Sequence, residues 1–116
     1  MTNEYWELQG RLRDFVRTRD WSQFHNPKNL AMALTGEVGE LVEHLQWLSG
    51  EASDALEADA WQEVRGEIVD VQIYLMLLAE RLDIDLMEAA GEKINENETK
   101  YPVERARGRS NKYTDL

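Results

Sequence analysis

At 116 residues the chain has the length of one domain, and its 42% hydrophobic and 31% charged residues are typical of a globular protein rather than a disordered one. A formal net charge of −10 argues against binding of a DNA or RNA polymer, because a phosphate backbone requires a basic surface. It does not exclude a single nucleotide, since metal ions neutralise phosphates locally. The sequence contains no cysteine, which excludes disulfides, thiolate zinc sites and a cysteine nucleophile.

The sequence lacks the patterns of export and membrane insertion. Residues 1–6 do not show the basic and then apolar regions of a signal peptide. The longest uncharged apolar run, residues 71–79, is far too short to span a bilayer. We therefore expect a cytoplasmic protein that does not contact a membrane, with one domain over residues 1–116.

Apolar spacing predicts an all-α chain with four helices that form a bundle. The first helix covers residues 3–19, and a turn over residues 20–25 follows it. Asn26 has the position of an N-cap and Pro27 that of the first helical residue, so the second helix is expected to begin there. Its apolar spacing continues to about Leu48, where we expect it to end.

A short polar link leads to the third predicted helix, over residues 55–82. Asp85, with Glu88 three residues later, predicts the N-cap of the fourth helix, which ends near Lys100 before Pro102. Residues 103–116 are expected to form an irregular tail with an excess of basic residues.

The third predicted helix carries apolar residues in every direction from Ile68 to Ala79. A helix that is apolar all round is buried on all sides. Because a small four-helix monomer cannot readily surround one of its own helices, we expect a homo-oligomer with this helix at the subunit interface.

Two acidic motifs are embedded in apolar stretches, Glu37-Val-Gly-Glu40 and Glu67-Ile-Val-Asp70. Helical residues three apart lie on nearly the same face, so the two carboxylates of each pair point the same way. Buried carboxylates are unfavourable unless they are paired. The pattern favours a hard divalent cation such as Mg²⁺, Mn²⁺ or Ca²⁺, with Glu63 as an auxiliary ligand.

Two alternatives remain for these acids. They could form solvated helix faces or pair with Arg65 and Arg81. A di-iron site requires Glu-x-x-His, whereas His44 follows Glu40 by four residues and Glu43 by one, which disfavours that site.

Further motifs accompany the acidic pairs in a fixed order. They are Asp20-Trp21-x-x-Phe24-His25-x-Pro27-Lys28-Asn29-Leu30, Gln46-Trp47, Tyr74 after the second acidic pair, Lys93-x-x-x-Asn97-x-x-x-Tyr101-Pro102, and Lys112-Tyr113-Thr114-Asp115-Leu116. Over residues 12–116 this set resembles the all-α nucleoside triphosphate pyrophosphohydrolases of the MazG-like superfamily, and among them the dCTP pyrophosphatase branch.

The resemblance implies hydrolysis of a nucleoside triphosphate to the monophosphate and pyrophosphate, most readily of dCTP, for control of the nucleotide pool. It also implies Mg²⁺, with Mn²⁺ as a substitute, and a homotetramer. The metal-binding and catalytic residues would be Glu37, Glu40, Glu67 and Asp70. The substrate-binding residues would be Trp21, His25, Trp47 and Tyr74 at the nucleoside, and Lys93, Asn97, Tyr101, Arg109 and Lys112 at the phosphates or sugar.

Other interpretations stay open. The tryptophans could serve in core packing, and Lys93 could pair with Glu96 or Glu92. The chain could be a non-enzymatic helical interaction module. It could also act on another substrate, such as dUTP, phosphoribosyl-ATP or a damaged nucleotide.

Overall fold

The computed structural model describes residues 3–116, so Met1 and Thr2 of the segment considered for a signal peptide lie outside it. All regular secondary structure of the described residues is helical, which confirms the all-α prediction. Backbone contacts group the chain into two compact units, the first ending at Asp83 and the second covering Ile84–Leu116. The single domain over residues 1–116 stays a prediction.

Four long helices match the four predicted ones, and two one-turn helices add to them. The elements are α1 (Glu4–Thr18), α2 (Pro27–Leu45), α3 (Gly50–Ser53), α4 (Ala58–Arg81), α5 (Leu86–Lys100) and α6 (Val103–Ala106). Short 3₁₀ turns cover Ser22–Phe24 and Tyr113–Asp115. The tail is therefore less irregular than predicted, and α2 ends three residues before Leu48.

The predicted caps are present. The Asn26 side chain accepts the backbone N–H of Asn29 at 2.9 Å, with Pro27 at the start of α2. The Asp85 side chain accepts the N–H of Glu88 at 3.1 Å at the start of α5. In the predicted polar link, the Ser49 hydroxyl accepts the N–H of Ala52 at 3.1 Å at the start of one helical turn.

The first unit is built around α4, against which α2 and α1 pack. Its buried apolar residues are Val16, Leu30, Val64, Met76 and Ala79. A polar contact links α1 to α4 inside this core, where the amide of Gln9 donates to the carbonyl oxygen of Met76 at 3.2 Å. At the surface, Arg13 pairs with Glu80 at 2.6 Å, so α1 is held at two levels of α4.

The apolar circumference of α4 is only partly covered within one chain. Met76 is fully buried, but Ile68 is 52% exposed, and Val69 and Leu75 are also exposed. The expected burial on all sides is therefore absent from the single chain, because α1 and α2 cover only parts of the helix surface. The expected homo-oligomer stays a prediction.

Among the helices of the described residues, none combines the length and the apolar character that a bilayer span requires.

The Asn26 cap provides a test of this fold. We expect Asn26→Ala to lower the free energy of unfolding by about 1 kcal/mol, because the N–H of Asn29 loses its acceptor. Urea denaturation followed by circular dichroism measures this change. Lys28→Ala, an exposed position in the same turn, is the matched control, and equal stabilities of the two variants would contradict the assignment.

Candidate functional site

Three carboxylates from two helices meet where α2 packs against α4. Glu37, Glu67 and Asp70 each offer an oxygen, and these oxygens all lie within 4.8 Å of one another. Glu37 and Glu67 are half-buried, whereas Asp70 is exposed. The arrangement brings negative charge from α2 and α4 to one place.

Glu40, the fourth predicted acid, adjoins this cluster. Its carboxylate lies within hydrogen-bonding reach of both Glu37 and Glu67. We call Glu37, Glu40, Glu67 and Asp70 the acidic cluster. Both acidic motifs of the sequence therefore converge in the folded chain.

The environment of the cluster disfavours its full ionisation. Burial is the main cause that raises the pKa of Glu37 above its usual value, followed by the charge of Glu40 and a hydrogen bond with it. Burial also raises the pKa of Glu67, followed by its hydrogen bond with Glu40 and the charge of that residue. Each carboxyl is thus more easily protonated in the folded chain than in water.

Two carboxylate oxygens in the cluster lack partners. Oε2 of Glu37 and Oε2 of Glu67 are buried, and neither accepts a hydrogen bond from the described residues. An unsatisfied buried acceptor costs roughly 1–3 kcal/mol. A set of carboxylate oxygens of this kind fits Mg²⁺ or Mn²⁺, which prefer oxygen ligands and would satisfy both atoms.

Glu40 and Asp70 are exposed, as the alternative of a solvated helix face expects, whereas the ion-pair and di-iron alternatives receive little support from the described residues. The ion pairs found in residues 3–116 do not join any member of the acidic cluster to Arg65 or Arg81. The one basic neighbour found is His44, whose Nε2 lies 3.7 Å from Oε1 of Glu67. The group of ligand atoms around Glu37 includes no histidine in this part of the chain, so a di-iron pattern is absent there.

A cavity of about 230 Å³ opens beside the acidic cluster. Glu37 and Asp70 form part of its wall, and Trp21, His25 and Tyr74 form another part. Its remaining lining residues are Leu12, Phe15, Val16, Ile73 and Leu77. Three of the four residues proposed at the nucleoside therefore share one cavity with two of the carboxylates.

The end of α1 determines where Trp21 lies. The backbone N–H of Trp21 donates to the carbonyl of Val16 at 3.0 Å, and that of Asp20 donates to Arg17 at 3.1 Å. These two bonds form a Schellman motif, with Asp20 in the left-handed conformation at φ 54°. The turn brings the Trp21 ring edge-to-face against Phe15, with 5.6 Å between the ring centres.

The 3₁₀ turn that follows fixes the backbone at His25. Its N–H donates to the carbonyl of Ser22 at 3.2 Å. The side chain of Asn29 donates to the carbonyl of Phe24 at 3.0 Å while its backbone N–H binds Asn26. The segment before α2 is therefore tied to the first turn of that helix.

Phe15 and Leu12 are site residues to which the sequence analysis assigned no role. Both line the cavity with Trp21. The available signal was weak, because it consisted of their place in the second half of α1, ahead of the aromatic turn.

Trp47 lies apart from the other predicted base-binding residues. It follows the end of α2, is 87% exposed and does not line the cavity of its own chain. Because its side chain is this exposed, Trp47 does not pack in the core of its own chain. Its predicted role at the nucleoside is therefore not supported within a single chain.

The predicted phosphate-binding residues lie in the second unit. Lys93 lies 3.4 Å from Glu96, as in the alternative that it forms a surface pair. Lys100 contacts the same carboxylate at 3.0 Å, and the two lysines lower the pKa of Glu96, Lys100 being the main cause. Asn97 is exposed.

The tail contacts the end of α5 through its aromatic residues. The rings of Tyr101 and Tyr113 meet edge-to-face at 5.9 Å, and Nζ of Lys100 lies 4.9 Å from the centre of the Tyr113 ring. Arg109 donates to the Asn111 side chain at 3.3 Å, and Lys112 is exposed. The roles of Lys93, Asn97, Tyr101, Arg109 and Lys112 at the substrate stay predictions.

Comparisons with known proteins agree with this architecture. The chain is 47% identical to dCTP pyrophosphatase 1 of Rattus norvegicus and 46% identical to that of Homo sapiens, over 89% of its own length. It spans 62% of the length of these relatives. The fold is similar to that of a pyrophosphatase from Archaeoglobus fulgidus, with a TM-score of 0.82 and 39% identity over 88% of this chain and 95% of the other.

The model of the MazG-like family matches residues 33–116, which contain both acidic motifs. This match, the identity to the mammalian proteins and the shared fold agree with one another. The chain belongs to the MazG-like family.

Proposed function

We propose that the protein hydrolyses deoxynucleoside triphosphates, with dCTP as the principal substrate, to the monophosphate and pyrophosphate in a Mg²⁺-dependent reaction. The observation that carries the proposal is the shared wall of the cavity, where Glu37 and Asp70 lie beside Trp21, His25 and Tyr74. The names of the mammalian relatives and of the archaeal neighbour support the same reaction.

The acidic cluster would hold the Mg²⁺, with Mn²⁺ as a substitute. When bound, the cation offsets the charge that develops on the leaving pyrophosphate and lowers the pKa of a coordinated water. Glu37, Glu40, Glu67 and Asp70 supply the oxygens, and one of these carboxylates accepts the proton of the attacking water. The partnerless oxygens of Glu37 and Glu67 support this assignment.

The cavity would receive the nucleoside. Stacking of a base on an aromatic ring contributes roughly 1–3 kcal/mol, and Trp21 is the candidate for it. His25 and Tyr74 would donate or accept hydrogen bonds at the base or sugar. The same chemistry suits dUTP or a modified dNTP, so the preference for dCTP rests on the relatives.

The protein would act as a single domain in the cytoplasm on the free nucleotide pool. Lys93, Asn97, Tyr101, Arg109 and Lys112 keep their proposed role at the phosphates or sugar, which rests on their match to the motifs of the family.

The active assembly would be a homotetramer. The exposed apolar residues Ile68, Val69 and Leu75 of α4 would be covered by another copy, because a contiguous apolar surface favours association. Trp47 would contact the nucleoside bound by a second copy, which is consistent with its exposure and with its absence from its own cavity.

Product analysis tests the reaction. With dCTP and Mg²⁺, we expect dCMP and pyrophosphate in equal amounts, because attack at the α-phosphorus releases the β and γ phosphates together. Chromatography of the nucleotides together with a pyrophosphate assay measures both. Formation of dCDP and orthophosphate would contradict the proposal.

We expect Glu40→Gln and Asp70→Asn to lower turnover by roughly 100-fold or more, since even supporting groups of a metal site contribute about 10–100-fold. The circular dichroism spectrum of the helices should stay the same in both variants.

The raised pKa values of Glu37 and Glu67 predict a pH dependence of stability. The folded chain without metal binds more protons than the unfolded chain from about pH 4.5 up through the raised values, so its free energy of unfolding falls as the pH rises through them. Urea denaturation at pH 5, 6 and 7 with a chelator measures this loss. Mg²⁺ at 100 times its dissociation constant should add about 2.7 kcal/mol at pH 7.

The double variant Glu37→Gln/Glu67→Gln should flatten this pH dependence and lose the effect of Mg²⁺. The control is Glu51→Gln/Glu57→Gln, which removes two exposed acids outside the acidic cluster. If both double variants respond to pH and Mg²⁺ like the wild type, the acidic cluster is not the source of the effect.

Sedimentation velocity tests the assembly. The wild type should sediment as a tetramer, whereas Ile68→Asp should form smaller species, because a buried unpaired carboxylate opposes association. Gln62→Asp adds the same charge at an exposed polar position of α4 and should leave the assembly unchanged. A monomeric wild type at micromolar concentration would refute this part of the proposal.

A further inference from the structure

The imidazole of His44 lies between two carboxylates of α4. Its Nε2 is 3.7 Å from Oε1 of Glu67, and its Nδ1 is 3.4 Å from Oε2 of Glu63. Glu63 and Glu67 are four residues apart and therefore share a face of α4, whereas His44 comes from α2. His44 is half-buried and Glu63 is exposed, so the row extends from solvent to the edge of the acidic cluster.

The two oxygens of Glu67 have different surroundings. Oε1 faces Nε2 of His44, whereas Oε2 is buried and has no hydrogen-bond partner among the described residues. At 3.7 Å the contact is longer than a hydrogen bond, but a protonated imidazole at this distance attracts Oε1 and so favours one orientation of the carboxylate. The imidazole and a metal ion can therefore use opposite oxygens of the same side chain.

We propose that His44 is a positioning residue that orients the Glu67 carboxylate for the metal ion, and that Glu63 in turn orients the His44 ring. The inference rests on the proposed function, which assigns Glu67 to the metal. It gives Glu63 a different role from the auxiliary ligand expected from the sequence, because Glu63 contacts the far nitrogen of His44 and is not in the group of ligand atoms formed by Glu37, Glu67 and Asp70.

The contact also connects the two helices that supply the acidic cluster. Glu37 and Glu40 precede His44 on α2, while Glu63 and Glu67 are on α4. When the imidazole is protonated, this contact opposes the repulsion between the acids of the two helices. Groups that orient metal-binding side chains typically contribute about 10–100-fold to metal affinity.

The test is Mn²⁺ binding to the whole protein without nucleotide, measured from the electron paramagnetic resonance signal of free Mn²⁺. His44→Leu replaces the imidazole with an apolar side chain of similar bulk and should weaken Mn²⁺ binding about 10–100-fold. His44→Gln places an N–H donor near the position of Nε2 and should recover most of the affinity. Glu63→Gln should weaken binding by less than His44→Leu, and Glu57→Gln, an exposed acid near the start of α4, should leave it unchanged.

A second measurement separates positioning from a packing role. In dCTP hydrolysis, His44→Leu should require about 10–100-fold more Mg²⁺ for half-maximal rate, while KM for the nucleotide at saturating Mg²⁺ stays the same. A side chain that serves only in packing would lower the melting temperature in chelator and leave the Mn²⁺ affinity unchanged.

The outcomes distinguish this inference from the function beneath it. If His44→Leu binds Mn²⁺ with wild-type affinity, the inference is overturned and the proposed function still stands. If His44→Leu does not fold, equal Mn²⁺ affinities of Glu63→Gln and Glu57→Gln have the same consequence. Failure of the wild type to bind Mn²⁺ would overturn both.

Discussion

The mutual repulsion of four carboxylates between α2 and α4 is the constraint on which the site depends. Packing of these two helices, with Leu30 and Met76 fully or almost fully buried, brings the acids together. Within the chain, burial raises the pKa of Glu37 and of Glu67, and one oxygen of each lacks a hydrogen-bond partner among the described residues. A sequence selected only for stability would replace such a group with apolar side chains, since buried ionic groups are often less stable than apolar ones. The arrangement of these acids is best explained by the divalent cation that we propose for this site.

The residues of α4 that have proposed roles lie in a row along one face of the helix. Glu63, Glu67, Asp70 and Tyr74 follow one another at spacings of four, three and four residues, which keeps them on one stripe of the helix. Along this stripe lie the contact with His44, the acidic cluster and the cavity. A rigid helix would therefore fix the distance between the proposed metal site and the proposed base site. The turn before α2 places Trp21 and His25 beside the same cavity.

Local sequence signals predicted much of this arrangement. Asn26 and Asp85 were recognisable as N-caps because the capping interaction spans three residues. The acidic pairs were recognisable because helical periodicity places residues three apart on one face. Their meeting depends on the tertiary contact between α2 and α4, which periodicity alone does not define; the resemblance to the family supplied it.

The structural features that the sequence did not predict depend on contacts between distant parts of the chain or consist of a single helical turn. The bridge from His44 to Glu63 and Glu67 has no local signature, because it requires a particular register of α2 against α4. The same holds for Phe15, whose apolar spacing on α1 is equally compatible with core packing. The one-turn helix α3 was expected as a polar link, because four residues are too few for a periodic pattern.

The charge of the protein constrains the form in which the substrate would bind. A chain with a net charge of −10 repels a free nucleoside triphosphate at distances of up to roughly one Debye length, about 8 Å at physiological salt. Among the basic residues proposed for the phosphates, the charge of Lys93 is already partly offset by Glu96 at 3.4 Å. Neutralisation must then come largely from the cation. The cation held at the acidic cluster and any cation carried by the nucleotide would therefore both reduce this repulsion.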